Sequence, residues 1–368
     1  MNFLPTICIF IIVLFLYIYI NHQFKKSEDL EIYEMDYSNN YQLQDVCDVR
    51  QPVLFEFKSI YPKLFSELSD PMNPKYGSYD VNIKDSNDYY KENILSVDSI
   101  ILPMQDTYKI LSKPSPLNGS KSHFIAEDNS EFLEDSGLHR IIKSADEYLK
   151  PDFTVHTKYD MLFGSANATT PLRYHTNNCR FISVYSGKLK IKMTPWKSNK
   201  FLDPIKDYEN YEFRSPMNPW EPQSMYKTDF DKIQFLEFDV LGGNVLYMPP
   251  YWWYSIQYSD IPNTIAYSMT YSTVMNCISN LPDIVLYYLQ QQNITKKIKK
   301  IPEPDVAAIN ISGNIQESEP NRNQCQKTET EQKLDQEPEQ GLDQELEPKL
   351  DQESEQKLDQ EPNITNKI

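Results

Sequence analysis

The sequence predicts a mainly β domain, a closed or sandwich-like barrel with flanking helices, placed between one membrane helix and a polar tail. Three observations predict this. Eight short runs rich in β-branched and aromatic residues follow Pro151, a density of strands typical of barrels and sandwiches. The stretch Phe3–Ile20 carries no charge, and from Glu331 an acidic octapeptide recurs.

The first element is FLPTICIFIIVLFLYIYI, 18 residues at the short end of what spans a bilayer as a helix, with Tyr17 and Tyr19 near one interface. No Lys or Arg precedes it, and no small-residue cleavage site follows it. Residues 1–22 are therefore expected to be an uncleaved single-pass anchor that meets the membrane through residues 3–20; the alternative is a cleaved signal peptide. Lys25 and Lys26 follow the run, so the positive-inside bias assigns the body to the cytosol. Residues 23–44 are polar and read as a tether.

A folded domain is expected over 45–295. RQPVLFEF (50–57) and YGSYDVNIKD (76–85) are strand candidates. SEFLEDSGLHRIIKSADEYL (130–149) has helical spacing and a plausible cap in Ser130, with Gly137 weakening its continuity and Pro151 beyond its end. The strand runs then begin. KLKIKM alternates strictly, Lys188, Lys190 and Lys192 on one face and Leu189, Ile191 and Met193 on the other. An insertion over 194–232, rich in Pro, Trp and Tyr, is too long for a hairpin and reads as a lid or interaction loop. PDIVLYYLQQQ (282–292) predicts a closing helix with Pro in its first turn.

Residues 296–368 read as a disordered acidic tail. Between 331 and 362 stand EQKLDQEP, EQGLDQEL, EPKLDQES and EQKLDQEP, with 12 acidic residues against 3 lysines. One Leu per repeat buries no core, so the tail is a candidate site for a protein partner. The chain carries a net charge of −17 and no large basic patch, which argues against nucleic acid as a partner. KKIKK (296–300) reads as a solvated helix end. The five cysteines form no CxxC pair, so the spacings imply neither a zinc site nor a disulfide framework.

Three segments suggest a family: TTPLRYHTNN (169–178), YSGKLKIKMTPW (185–196) and GGNVLYMPPYWWYSI (242–256). Together with the strand series they resemble the cupin-like branch of the JmjC superfamily, over roughly residues 46–292. The resemblance implies a double-stranded β-helix (jelly-roll) fold and, in active members, an iron(II)- and 2-oxoglutarate-dependent oxygenase. Such a site takes two imidazoles and one carboxylate on one face of the metal. In the family a His-x-Asp or His-x-Glu step supplies two ligands, since residues i and i+2 of a strand point the same way, and a histidine after Trp-Trp supplies the third.

Laid on this sequence, the step falls on Arg173-Tyr174-His175 and the third ligand on Tyr254. A shift of two residues makes His175 the first ligand, with Asn177 in place of the acid. The five histidines are His22, His123, His139, His156 and His175, so none follows His175. The basic residue that would hold 2-oxoglutarate is replaced by Leu189, although Thr170 is kept. The candidate pocket is thus Thr170, Arg173, His175, Leu189, Trp252 and Tyr254, with His175 the one candidate metal ligand and no catalytic residue. Arg173 reads equally as an internal ion pair, a cation stacked on Tyr254 or an anion-binding group. His175 reads as a hydrogen-bonded lining residue, and Trp252 and Tyr254 read as strand packing. Asp160 and Asp239 lie on strands without forming a catalytic pair.

The expectation is a membrane-anchored cupin-like module without oxygenase activity that binds a ligand or partner and needs no cofactor. One alternative is an oxygenase of the same family with an atypical site, using iron(II) and 2-oxoglutarate. The other is a membrane-tethered structural protein acting through its acidic tail.

Overall fold

The structure is a computed structural model that describes residues 3–68, 73–91, 94–111, 123–259 and 264–293. The chain divides into Met1–Pro304 and Asp305–Ile368, and every described residue lies in the first unit. The predicted tail, 296–368 with its repeats and its lysine run, lies outside the described residues.

Among the described residues, period-two alternation builds fifteen strands in two sheets. In chain order they are β1 (Tyr33–Glu34), β2 (Val53–Glu56), β3 (Asp80–Asp85), β4 (Ile100–Pro103) and β5 (Phe124–Ala126). Next come β6 (Thr154–Gly164), β7 (Arg173–Tyr174), β8 (Cys179–Ser186), β9 (Lys188–Thr194) and β10 (Ile205–Asp207). The last are β11 (Glu212–Arg214), β12 (Leu236–Leu241), β13 (Asn244–Met248), β14 (Trp253–Tyr258) and β15 (Ile265–Thr273). The larger sheet runs β1-β2-β13-β8-β15-β6-β5-β3-β4 and the smaller β10-β11-β7-β14-β9-β12. Every pairing is antiparallel except β1 with β2.

The alternation predicted for β9 holds. Leu189, Ile191 and Met193 are fully buried, while Lys188 and Lys190 pair with Asp239 and Glu237 on the outer face. The buried residues of β9 share one apolar cluster with Ile182 and Val184 of β8, Leu246 of β13 and Ile256 of β14. The two sheets therefore pack face to face over this cluster. The larger sheet's other face is covered by short helices that bring Leu43, Phe132, Leu138 and Ile142 against Phe181, Tyr247 and Tyr271. The smaller sheet's other face is covered by the insertion, through Leu202, Met217 and Ile233 against Tyr174 and Trp253. The insertion thus adds β10 and β11 to a sheet edge and packs as a layer.

Two elements differ from expectation. Residues 23–44 are not a free tether: β1 pairs with β2, Met35 and Tyr37 pack on the core, and helix Asn40–Cys47 buries Leu43. Polarity concealed this, because the contacts rest on a few apolar residues, Ile32, Met35, Tyr37 and Leu43, among many polar ones. The helix predicted over 130–149 is three short ones, Ser130–Asp135, Leu138–Lys143 and Asp146–Leu149, broken first at Gly137 with φ +77°. Asn129 occupies the cap position in place of Ser130, and its side-chain oxygen accepts from Asn82 N at 2.8 Å.

The N-terminal helix Phe3–Gln23 is long and apolar enough to cross a membrane, and its apolar side chains are exposed.

The β8–β9 turn depends on Gly187. Its φ is +77°, and a Cβ there would lie 2.3 Å from Thr264 Oγ1 and 2.8 Å from Thr264 Cα. Gly187→Ala is expected to destabilise the protein by about 1–3 kcal/mol through left-handed strain and overpacking. Thermal unfolding of the full chain in detergent checks this; an unchanged midpoint would contradict it.

Candidate functional site

The candidate site forms where β7 and β14 meet between the sheets. In β7 and the residues that flank it the odd positions turn inward: Leu172 and Tyr174 join the outer cluster under the insertion, leaving Arg173 and His175 on the other face. In β14, Trp253 faces the insertion while Tyr254, Ile256 and Tyr258 face the inter-sheet core. Tyr254 is the direct cross-strand partner of Arg173. The His175 and Tyr254 rings lie 6.3 Å apart at an interplanar angle of 64°. Arg173, His175 and Tyr254 therefore share one place in the fold.

Charge in that place is balanced from within the chain. Arg173 Nη1 donates to Glu212 Oε1 at 2.8 Å. Its Nη2 lies 2.6 Å from Glu127 Oε2, a close ion pair not aligned as a hydrogen bond. All three side chains are nearly enclosed. Burial opposes the Arg173 charge, but the neighbouring Glu127, Tyr254 and Glu212 outweigh it and keep the guanidinium ionised. Beside this group, buried Lys84 lies 2.9 Å from Asp128, which also holds Lys158 at 2.7 Å. Lys84, ahead of burial and Lys158, dominates the electrostatics of Asp128 and holds its carboxyl well below the usual range. Asp160 accepts from the backbone N–H groups of Asp128 and Asn129.

Tyr254 meets a second guanidinium. Arg180 Nη1 donates to Tyr254 Oη at 2.6 Å, and Arg180 Nε donates to Ser268 Oγ at 3.0 Å. The two guanidinium carbons lie 5.8 Å (Arg173) and 5.6 Å (Arg180) from the centre of the Tyr254 ring, within cation–π range. His175 Nε2 faces the Met248 carbonyl at 3.0 Å, so that nitrogen carries the proton, and Nδ1 has no hydrogen-bond partner. Burial first, then the positive charge of Arg180, push the imidazole down to about 3, so it is neutral at physiological pH.

The remaining candidates serve the frame. Thr170 Oγ1 accepts from Ile256 N at 2.9 Å, and its carbonyl accepts from Ser255 Oγ at 2.6 Å, locking the loop before β7 to β14. Leu189 is fully buried between Val240 and Tyr258 on the adjacent strands. Trp252 donates its indole N–H to Arg50 O at 3.0 Å. The structure thus brings together Arg173, His175 and Tyr254 and gives Thr170, Leu189 and Trp252 packing and strand-tying partners. Surface hollows lie at Glu34–Asp36 with Leu54–Glu56, and beside Ser130, His139 and His156; neither includes this trio.

Sequence reasoning missed Glu127, Glu212 and Arg180. Two were within reach of alternation: Arg180, Ile182 and Val184 of β8 alternate inward, as Glu212 and Arg214 do about outward Phe213. Glu127 follows β5 on a loop and carries no periodic signal.

A two-histidine, one-carboxylate iron(II) centre does not fit these residues. The aligned positions hold a paired cation, one imidazole whose Nε2 is committed to a carbonyl, and a phenol that accepts from a second cation. Among the described residues, no three His, Cys, Asp or Glu side chains converge to hold a metal. A 2-oxoglutarate carboxylate would meet apolar Leu189 where the resemblance calls for a cation. The chain matches no protein-family model, and no curated protein matches it.

Proposed function

We propose that the protein is a membrane-anchored module of cupin-like or JmjC-like double-stranded β-helix type that lacks oxygenase activity and works by binding a partner. The observation that carries this reading is the closed ion-pair group Glu127–Arg173–Glu212 at the position of the first metal ligand. A cation that already holds two buried carboxylates has no charge left over for an acidic ligand. The same group ties β7 and β11 of the smaller sheet to the loop after β5 of the larger one. Its role is to hold the sheets together, which leaves recognition to the outer surfaces and to the acidic tail.

The test is iron and turnover. Full-length protein is purified in detergent without oxygen and given iron(II) and 2-oxoglutarate. Bound iron stays far below one per chain, and no succinate accumulates. Stoichiometric iron with succinate release would overturn the proposal and favour the oxygenase reading.

A further inference from the structure

The last described helix is amphipathic in the reverse sense. Helix Leu281–Asn293 turns Asp283, Tyr287 and Gln291, four residues apart, toward the body. Asp283 accepts from Tyr208 Oη at 2.7 Å, the Tyr287 ring meets Tyr211 edge-on at 5.5 Å, and Gln291 Nε2 donates to Glu209 O at 2.7 Å. The outward face carries Leu281, Val285, Leu286, Tyr288 and Leu289, between 45% and 63% exposed. A helix whose outer face meets water puts its apolar stripe inward; this one presents its acid and amide to the protein.

The surroundings extend the same surface. The preceding helix Val274–Ser279 leaves Val274 and Ile278 exposed. Val274 N donates to the carbonyl of Phe153 at 3.1 Å. Phe153 is 85% exposed at φ +57°, a left-handed conformation that non-glycine residues seldom adopt, so the fold holds a phenyl ring outward on strained backbone.

The N-terminal helix says what covers this surface, because Phe3–Gln23 packs beside Val274–Ser279. Its exit is fixed to the body: Gln23 is buried, the Phe24 ring lies 6.4 Å from Tyr251, and Lys26 Nζ sits 3.9 Å from the centre of the Trp196 ring. Lys25 Nζ donates to Asp48 O at 3.0 Å. A span held this way sets the orientation of the body against its membrane.

We propose that helix Leu281–Asn293, with Val274, Ile278 and Phe153 at its rim, lies in the interface of the same bilayer that Phe3–Gln23 crosses. This rests on the reading of Phe3–Gln23 as an uncleaved span. The occupant is lipid: the surface adjoins the span, it is aliphatic with Tyr288 and Phe153 as interfacial aromatics, and the sequence continues into Lys296, Lys297, Lys299 and Lys300, which suit anionic headgroups.

The test uses the full chain in vesicles of phosphatidylcholine and phosphatidylglycerol, with Cys8, Cys277 and Cys325 replaced by serine. A nitroxide is attached at Leu289→Cys or, as reference, at Leu241→Cys. Leu241 pairs with Lys188, at the end of β9 opposite the Thr194 end that leads to Trp196 and the span. The Leu289 label is expected to be relaxed more by oxygen than by a water-soluble nickel chelate, and the Leu241 label the reverse. Both positions are exposed, and thermal unfolding verifies that the labelled chains fold. Retention of the chain through alkaline extraction with a nickel-accessible Leu289 label would overturn this inference and leave the anchor standing. Release by alkaline extraction would overturn both. Retention with the Leu289 label shielded from both probes and coupled to a second label would assign the face to another copy of the chain, against this inference.

Discussion

Arg173→Met is expected to cost the protein about 3–5 kcal/mol, the loss typical of breaking a buried ion pair from one side. Methionine matches much of the volume of the arginine stem, so the loss comes from charge. Glu127 and Glu212 would remain as two carboxylates in a site nearly closed to water, without the guanidinium that lies 2.6 and 2.8 Å from them. Replacing all three together, Arg173→Met with Glu127→Leu and Glu212→Leu, is expected to recover most of that loss, because an apolar set of similar volume has no charge to desolvate. Urea unfolding of the full chain in detergent measures both. The reading of Glu127–Arg173–Glu212 as a closed structural group fails if the single variant costs under about 1 kcal/mol, the range of an exposed pair. It fails equally if the triple variant is much worse than the single one, since the carboxylates would then have a role apart from Arg173.

The recovery matters for function. A site shaped for an acidic ligand keeps a cation under-neutralised until the ligand arrives. Arg173 instead meets two carboxylates from different parts of the chain, one from β11 and one from the loop after β5. Arg180 donates to two neutral hydroxyls, those of Tyr254 and Ser268, within the same group. Arg173 is thus neutralised from within the chain, and an unpartnered apolar face of the described body lies outside, around Leu281–Asn293.

The strands were legible because alternation with aromatic and β-branched residues is a local signal. KLKIKM, RFISVYSG and WWYSIQYS each form strands, β9, β8 and β14. Arg173, His175 and Tyr254 are grouped through the resemblance alone; alternation puts Arg173 and His175 on one face, and the pairing of Tyr254 with Arg173 that joins them is supplied by the structure. What was illegible depends on contacts distant in sequence. Glu127 precedes Arg173 by 46 positions, and nothing near it marks it as that residue's partner. Residues 23–44 looked like a tether because their polarity hides a two-residue strand whose hydrogen bonds are supplied by β2. Cys47 and Cys179 show no motif spacing, yet the helix ending at Cys47 and the start of β8 bring the two thiols into mutual contact, where burial, more than their interaction, pushes Cys47 up.

His175 gives the protein a pH dependence that begins near neutrality. Its imidazole falls from 6.5 to about 3, by burial first and by the charge of Arg180 second. The folded state thus prefers the neutral ring. Stability is complete above about pH 6.5 and is lost as the pH falls toward 3, because the unfolded chain takes up a proton that the folded chain refuses. At about 1.4 kcal/mol per pH unit, the loss at pH 5 is about 2 kcal/mol. His175→Gln keeps an N–H for the Met248 carbonyl and cannot titrate, so at pH 7.5 it is expected to cost about 1 kcal/mol through imperfect packing and hydrogen bonding. The two proteins should therefore exchange order: wild type more stable at pH 7.5, the glutamine variant more stable at pH 5. Unfolding free energies measured across that interval test it, and the difference between the two curves removes the contribution of every other titrating group. Parallel curves would mean that the ring charges as readily in the folded chain as in the unfolded one. His175 would then be more open to water than its enclosure against Met248, Tyr254 and Arg180 implies, and the interior would not be the closed core that those contacts describe.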